Sequence, residues 1–220
     1  MVALLRLPAG GRAVDIACGK GEVALRVAEA YAVSVTGVDL SPYAVRDAQA
    51  RARGRRLKGE VDFVLGEGAD HAVPAGSLDL ALCMGASWVF GGHAGTLRAL
   101  GAMVREGGLV LVGEPFWRRE PSDAYLRASE TARDAFRDHA GNVAAGAEAG
   151  LVPLYAAVSS EDDWDRYEGL QWQAAERYAR ERPDDPDVPE LLAASRRHRD
   201  AYLAEGRDAL GWALYLFQRA

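Results

Sequence analysis

VDIACGKGE, residues 14–22, is the stretch from which the fold of this chain is read. An apolar run (Ala13, Val14, Ile16) carries one carboxylate, Asp15, near its end, then breaks at Gly19-Lys20-Gly21, after which a helical pattern begins. Strand, glycine turn and helix form the local geometry that presents free backbone N–H groups to a ligand. The next apolar run, VTGVDLSP (35–42), contains a second acid, Asp39, 18 residues after Gly21. A turn flanked by two such acids suits a nucleoside-type cofactor. Asp39 is placed to accept hydrogen bonds from a ribose diol and to repel a 2′-phosphate. Asp15 stands ahead of the turn, where a dinucleotide site has to accept a pyrophosphate. A negative group there suits a ligand with a cationic end, an ammonium or sulfonium.

Outward from that turn the chain alternates. Residues 22–31 carry Val23, Ala24, Val27, Ala28 and Tyr31 on one helical face, and 33–39 is β-branched and strand-like. Ser41-Pro42 supplies an N-cap and a first-turn proline for a helix to about Arg55. Strands are expected at 61–65, 78–84 and 109–113, with a helix near 94–104 and a turn at Arg105–Gly108. Interleaved in this way, they indicate a doubly wound parallel α/β sheet. Beyond Trp117 the pattern predicts helix over 122–138 and 141–149, then a sixth strand at 151–158 that Pro153 places at or near an edge. Helices at 161–180 and 189–205, separated by ERPDDPDVP (181–189), precede a closing strand, GWALYLFQR (211–219). The late helices read as an insertion between the last two strands of a single domain spanning 1–220, with 1–117 as its cofactor-binding half and 118–220 as its substrate-side half.

Composition narrows the function. With 49% hydrophobic and 26% charged residues the chain is ordinary for a globular protein, and no apolar run approaches a membrane span. MVALLRLPAGG lacks a charged leader and a cleavage site, so a cytoplasmic location is expected. A net charge of −6 argues against nucleic acid, and the basic cluster from Arg46 to Lys58 reads as a solvated helix face. Cys18 and Cys83 each end a buried strand, and no Cys/His spacing suits zinc, so neither a disulfide nor a metal site is expected. The expected partner is a small-molecule substrate, with monomer and homodimer both open.

These residues resemble the class I S-adenosylmethionine-dependent methyltransferases of the small-molecule type, whose first motif reads GxCGxG; the likeness covers nearly the whole chain. The resemblance implies a seven-stranded Rossmann-like sheet in the order 3-2-1-4-5-7-6, its last strand antiparallel. It implies Asp15 at the methionine amino group, and Ala17, Cys18, Gly19 and Gly21 passing under the cofactor. Asp39 then meets the ribose and Leu40 the adenine, with Cys83 and Gly85 also among the cofactor-binding residues. CMGASWVFGG (83–92), GEPFW (113–117) and DDWDRYEGLQW (162–172) are similar to a bacterial subgroup with GASW, GEPYW and WDRYE elements.

Three departures stand out. Ala17 replaces the first glycine of the turn. The acid that contacts the adenine amino group after the third strand has no single counterpart, leaving Glu67, Asp70 or backbone around Ala69. Relatives also carry a helical lid ahead of the first strand, whereas this sequence opens almost at the strand, so that segment is expected to be short or absent.

On the acceptor side, ligands of open α/β sheets bind beyond the carboxyl ends of the strands. That places Ser87 and Trp88 after the fourth strand, and Glu114, Phe116 and Trp117 after the fifth, near the methyl donor. Glu114 is the expected base or substrate anchor, its alternative being a structural acid paired with Arg118 or Arg166. His93, after Gly91-Gly92, is a second candidate for proton transfer, or a capping histidine. The aromatic faces of Trp88, Phe116 and Trp117 suit a cationic centre, or serve as core. Two other functions remain open. Gly19 to Ala24 also matches G-x-G-x-x-A, as in nicotinamide-dependent oxidoreductases, although Asp15, the absence of a Tyr-x-x-x-Lys pair and the strand-like C-terminus oppose it. A non-catalytic cofactor-binding subunit on the same fold is the other.

Overall fold

The first strand, β1 (Arg12–Ile16), is buried at every position after Arg12, as a strand covered on both faces must be. The computed structural model describes all 220 residues. Beside β1 lie β2 (Ser34–Asp39) and β4 (Leu78–Met84), and β3 (Glu60–Leu65) pairs with β2, all in parallel register. With β5 (Val104–Trp117), β6 (Leu151–Val158) and β7 (Leu210–Arg219) the sheet has the order β3-β2-β1-β4-β5-β7-β6, and β7 runs antiparallel to β5. The expected α/β architecture is therefore the observed one, with Pro153 on an edge strand where its missing N–H is harmless.

The connecting helices are α1 (Glu22–Ala30), α2 (Pro42–Ala52) and α3 (His93–Met103). Ser41 caps α2 by accepting the Ala44 N–H, as the Ser-Pro pair predicts. β5 is longer than expected. Val104 already pairs with Leu78, and the strand resumes at Leu109 opposite Leu80. The Arg105–Gly108 turn is thus an excursion within the strand, held by Arg105 on Asp79 (2.8 Å) and by Gln218 on the Gly107 carbonyl (2.9 Å).

The chain divides into two compact units, one of Met1–Glu114, Gly141–Ala157 and Leu214–Ala220, the other of Pro115–Ala140 and Val158–Ala213. The core of the first gathers Leu25, Val27, Val35, Phe63, Leu80 and Leu111 with Leu216 from β7. Phe63 sits where Gly21 and Gly37 have no side chains: a Cβ added at either would come within 2.4 or 2.6 Å of its ring.

In the second unit, helix is shorter than the 122–138 expected: α4 (Asp123–Ala128) is followed by a single tight turn at Arg133–Ala135. Ser129 turns its hydroxyl back onto the Tyr125 carbonyl and Glu130 adopts φ +53°, which ends the helix. The segment expected as helix over 141–149 is α5 (His139–Glu148), which from Gly141 onward belongs to the first unit. α6 (Glu161–Glu181) and α7 (Val188–Ala201) pair through Glu168–His198 (2.7 Å) and Glu176–Arg196 (2.9 Å). α7 passes into one wide helical turn at Tyr202–Gly206 instead of continuing to 205 as regular helix. No helix is long and apolar enough to cross a membrane.

Candidate active site

Past β1 the backbone turns through left-handed conformations at Ala17 (φ +55°), Gly19 (+55°) and Gly21 (+72°). Only glycine adopts these without strain, so Ala17 holds a conformation costing about 1 kcal/mol. The two glycines serve different ends. Gly21 is required by the Phe63 ring, whereas a Cβ on Gly19 would meet nothing within 4 Å. The space over Gly19 is open to a ligand. Asp39 fastens this turn to the next: Oδ2 accepts the Gly19 N–H (2.7 Å) and Oδ1 the Ser41 N–H (2.9 Å). A carboxylate accepts about four hydrogen bonds, so two sites are left for a diol. Beside it Leu40 and Leu65, the last residue of β3, are 66% and 56% exposed, an apolar step at the end of the sheet.

Asp15 is 1% exposed beneath the first turn of α1, and its Oδ1 has no hydrogen-bond partner. Burial pushes its carboxyl up to about 7; a backbone hydrogen bond from Ala24 opposes the rise and the charge of Asp39 adds to it. An orphaned carboxylate oxygen with a raised pKa is fitted to receive an ammonium. The thiols flanking it are inert. Burial, with the charges of Asp15 and Asp39, raises Cys18 far above its ordinary range, and burial takes Cys83 up to about 12. Gly85 (φ +71°) follows β4 and donates to the Gly113 carbonyl (2.9 Å). Glu67, Ala69 and Asp70 are exposed around a short turn whose Gly68 lies against Ile16. No group of three or more His, Cys, Asp or Glu is gathered for a metal ion.

A second polar centre lies past β4 and on the last residues of β5, which runs to Trp117 and so holds Glu114, Phe116 and Trp117 within the strand and not after it, where the sequence pattern puts them. Glu114, 2% exposed, accepts the Ser87 hydroxyl at Oε1 (2.9 Å), while Oε2 lies 4.0 Å from Nδ1 of His93. Burial pushes Glu114 up to about 7 against the opposing Ser87 bond. His93 Nε2 meets the main-chain carbonyl of Asn142 (3.0 Å), the Asn142 amide donates to the Tyr215 hydroxyl (3.2 Å), and the Tyr215 ring lies 5.7 Å from the imidazole. Thr96 steadies the Ser87 turn by donating to the Ser87 and Gly92 carbonyls.

Of the three aromatic candidates, Trp88 is 74% exposed on the turn after β4. Phe116 and Trp117 belong to the second unit and are buried. Phe116 packs on His139 and over Gly211, with Arg118 above its ring. Trp117 donates its indole N–H to the Arg133 carbonyl (2.9 Å) between Tyr125 and Phe136. Sequence reasoning brought Asp15, the turn, Asp39, Ser87, His93 and Glu114 into view. It missed Leu65, Asn142 and Tyr215. Asn142 is a polar residue in the small-residue run GNVAAG, and Tyr215 falls on the inward alternation of β7; both signals are weak.

Residues 13–108 match a family model described as a methyltransferase domain. The crystal structure of an S-adenosylmethionine-dependent methyltransferase from Thiobacillus denitrificans, in complex with S-adenosyl-L-homocysteine, is 32% identical, with a TM-score of 0.90 over 100% of this chain and 89% of that one. A like-named protein from Geobacter sulfurreducens, also with S-adenosyl-L-homocysteine, is 29% identical at a TM-score of 0.91, covering 100% and 88%. By sequence, 27-O-demethylrifamycin SV methyltransferase of Amycolatopsis mediterranei is 30% identical over 186 residues, 81% of this chain and 66% of that protein.

Proposed function

Because the chain belongs to the class I S-adenosylmethionine-dependent methyltransferases, we propose that it transfers a methyl group to a small-molecule acceptor by in-line displacement, with Asp15 and Asp39 as the anchors of the donor. The observation that carries this reading is Asp15, a buried carboxylate with one oxygen lacking a donor, placed ahead of an open glycine turn. Asp15 binds the methionine ammonium, and the free acceptor sites of Asp39 bind the ribose hydroxyls. Leu40 and Leu65 cover the adenine, whose amino edge faces the Glu67–Ala69 turn. Backbone at Ala17, Cys18 and Gly19 runs beneath the donor, and Cys83 and Gly85 bound it from β4. When bound, the sulfonium supplies an electrophilic methyl carbon. The chain then orients an acceptor in line with that carbon and excludes water, and positioning of this kind accounts for a large part of such rate enhancements. Ser87 and Trp88, on the turn after β4, face the acceptor, and Glu114 takes up its proton with His93 beside it.

Calorimetry with S-adenosylhomocysteine and NADH tests the reading. The first ligand binds and the second does not. Asp39→Ala weakens binding by about 2–3 kcal/mol, roughly 30- to 150-fold in Kd, because the diol loses its acceptor and Gly19 its latch. Binding of NADH alone, or an unchanged Kd in Asp39→Ala, refutes it.

A further inference from the structure

An acceptor that carries a proton has to lose it during transfer, and Glu114 is poorly placed to take it directly. Its carboxylate is 2% exposed and Oε2 is turned inward. Ser87 is only half-buried, on the turn after β4, and its hydroxyl already donates to Oε1 of Glu114 at 2.9 Å. On the inner side, Nε2 of His93 lies 3.0 Å from the Asn142 carbonyl. A carbonyl only accepts, so Nε2 carries the hydrogen, and in the neutral ring Nδ1 is the basic nitrogen. That nitrogen faces Oε2 of Glu114 at 4.0 Å, too long for a hydrogen bond but within the range at which a charge on one group acts on the other. Cys83 on β4, whose thiol stays protonated, and Tyr215 on β7, against the imidazole, are titratable groups that also lie at the pair.

Resting on the methyltransferase reading above, we propose that Ser87, Glu114 and His93 form a proton relay for an acceptor that presents a hydroxyl group. Ser87 is the catalytic residue that meets the substrate. Glu114 receives the proton through it, and His93 is a positioning residue whose ring is set by Asn142 and Tyr215. As the acceptor oxygen bonds to the methyl carbon, with the pair of the broken carbon–sulfur bond retained on sulfur, the hydroxyl proton passes to Ser87 Oγ. Ser87's own proton passes to Oε1 of Glu114. A hydroxyl is a weak nucleophile until its proton leaves, so this chemistry uses the relay. A thiolate or a tertiary amine has no proton to give and leaves it idle.

Two titrations test the relay without turnover. Infrared difference spectra follow the protonated carboxyl of Glu114, assigned with Glu114→Gln, and nitrogen NMR follows the ring of His93, assigned with His93→Gln. Ser87→Ala raises the Glu114 titration by about 1 pH unit, because a hydrogen bond that favours the ionised form is lost, and Ser87→Thr restores it. Glu114→Gln lowers the His93 titration by about 1 pH unit through loss of the adjacent carboxylate, and the neutral wild-type ring carries its hydrogen on Nε2. A ring protonated on Nδ1, a Glu114 titration unmoved by Ser87→Ala, or a His93 titration unmoved by Glu114→Gln overturns the relay. In a turnover screen of alcohols, phenols, amines and thiols with S-adenosylmethionine, O-methyl products support the hydroxyl assignment and exclusive N- or S-methylation overturns it. S-adenosylhomocysteine calorimetry separates the two failures. Absent binding to the wild type sinks the methyltransferase reading, whereas intact binding with uncoupled titrations sinks only the relay.

Discussion

As the proposed ammonium site, Asp15 is expected to set the pH response of cofactor binding. A free carboxyl pushed up to about 7 is largely protonated at pH 6, and an ammonium has to displace that proton. Binding of S-adenosylhomocysteine therefore tightens as pH rises from 5 to 7, by about tenfold per unit on the acid side, and levels off above. Calorimetry at pH 6 in buffers of different ionisation enthalpy detects close to one proton released by the wild type. Asp15→Asn releases none, and equal release by both would remove Asp15 from the ammonium site. Asp15 and Asp39 were legible in the sequence because each belongs to a local signal, a strand end beside a turn. Asn142 and Tyr215 were not. They reach His93 across 49 residues and through the β7 register, and neither distance nor register is written in a local pattern.

At the level of the turn between β1 and α1, two glycines with the same backbone conformation separate stability from binding. Gly21→Ala forces a methyl group to within 2.4 Å of Phe63 and retains a left-handed φ of +72°. It destabilises the fold by about 2–4 kcal/mol in urea unfolding. Gly19→Ala adds only the backbone term, about 1 kcal/mol, yet fills the space over the turn, so S-adenosylhomocysteine binding falls while the fold persists. Equal unfolding midpoints for the two variants would contradict this division. Helices with strong caps, such as α2 behind Ser41-Pro42, were readable from sequence. The stretch 122–138 was misread because its composition is helical throughout, while its end is set by the Ser129 back-bond and the φ of Glu130.

Across the whole molecule, three groups make the cofactor-free protein lose stability as the medium turns basic. Asp15 and Glu114 have folded values near 7, above their unfolded ones, so their contribution is complete below about pH 4 and is lost as pH rises through about 7. His198 is raised by its bond to Glu168, so its contribution is complete below the unfolded value of 6.5 and fades as pH climbs through the folded one. Glu22, Asp165, Glu176, Asp185 and Glu205 are depressed and act at the acid end, where stability falls as pH drops through their folded values. Between pH 5 and pH 8 the Tm of the cofactor-free protein therefore declines. Saturating S-adenosylhomocysteine flattens the decline by pairing Asp15, and the Asp15→Asn/Glu114→Gln double variant flattens it without ligand. A Tm that rises over this window in the wild type contradicts the assignment. The sheet order was legible because strand and helix alternate with clear punctuation up to Trp117. The make-up of the second unit was not, because Pro115–Ala140 and Val158–Ala213 are brought together by packing across a long sequence gap.

The seat of Phe63 ties three positions of the sequence to one another over descent. A side chain at 21 or 37 is admissible only after residue 63 has shrunk, since the ring occupies both places. The reverse order is closed, and the open order passes through a form with a void in its core, less stable than either end. Selection on the cofactor turn is therefore not needed to keep Gly21. A phenyl ring two strands away, with Ala48 behind it, is enough to hold it in place.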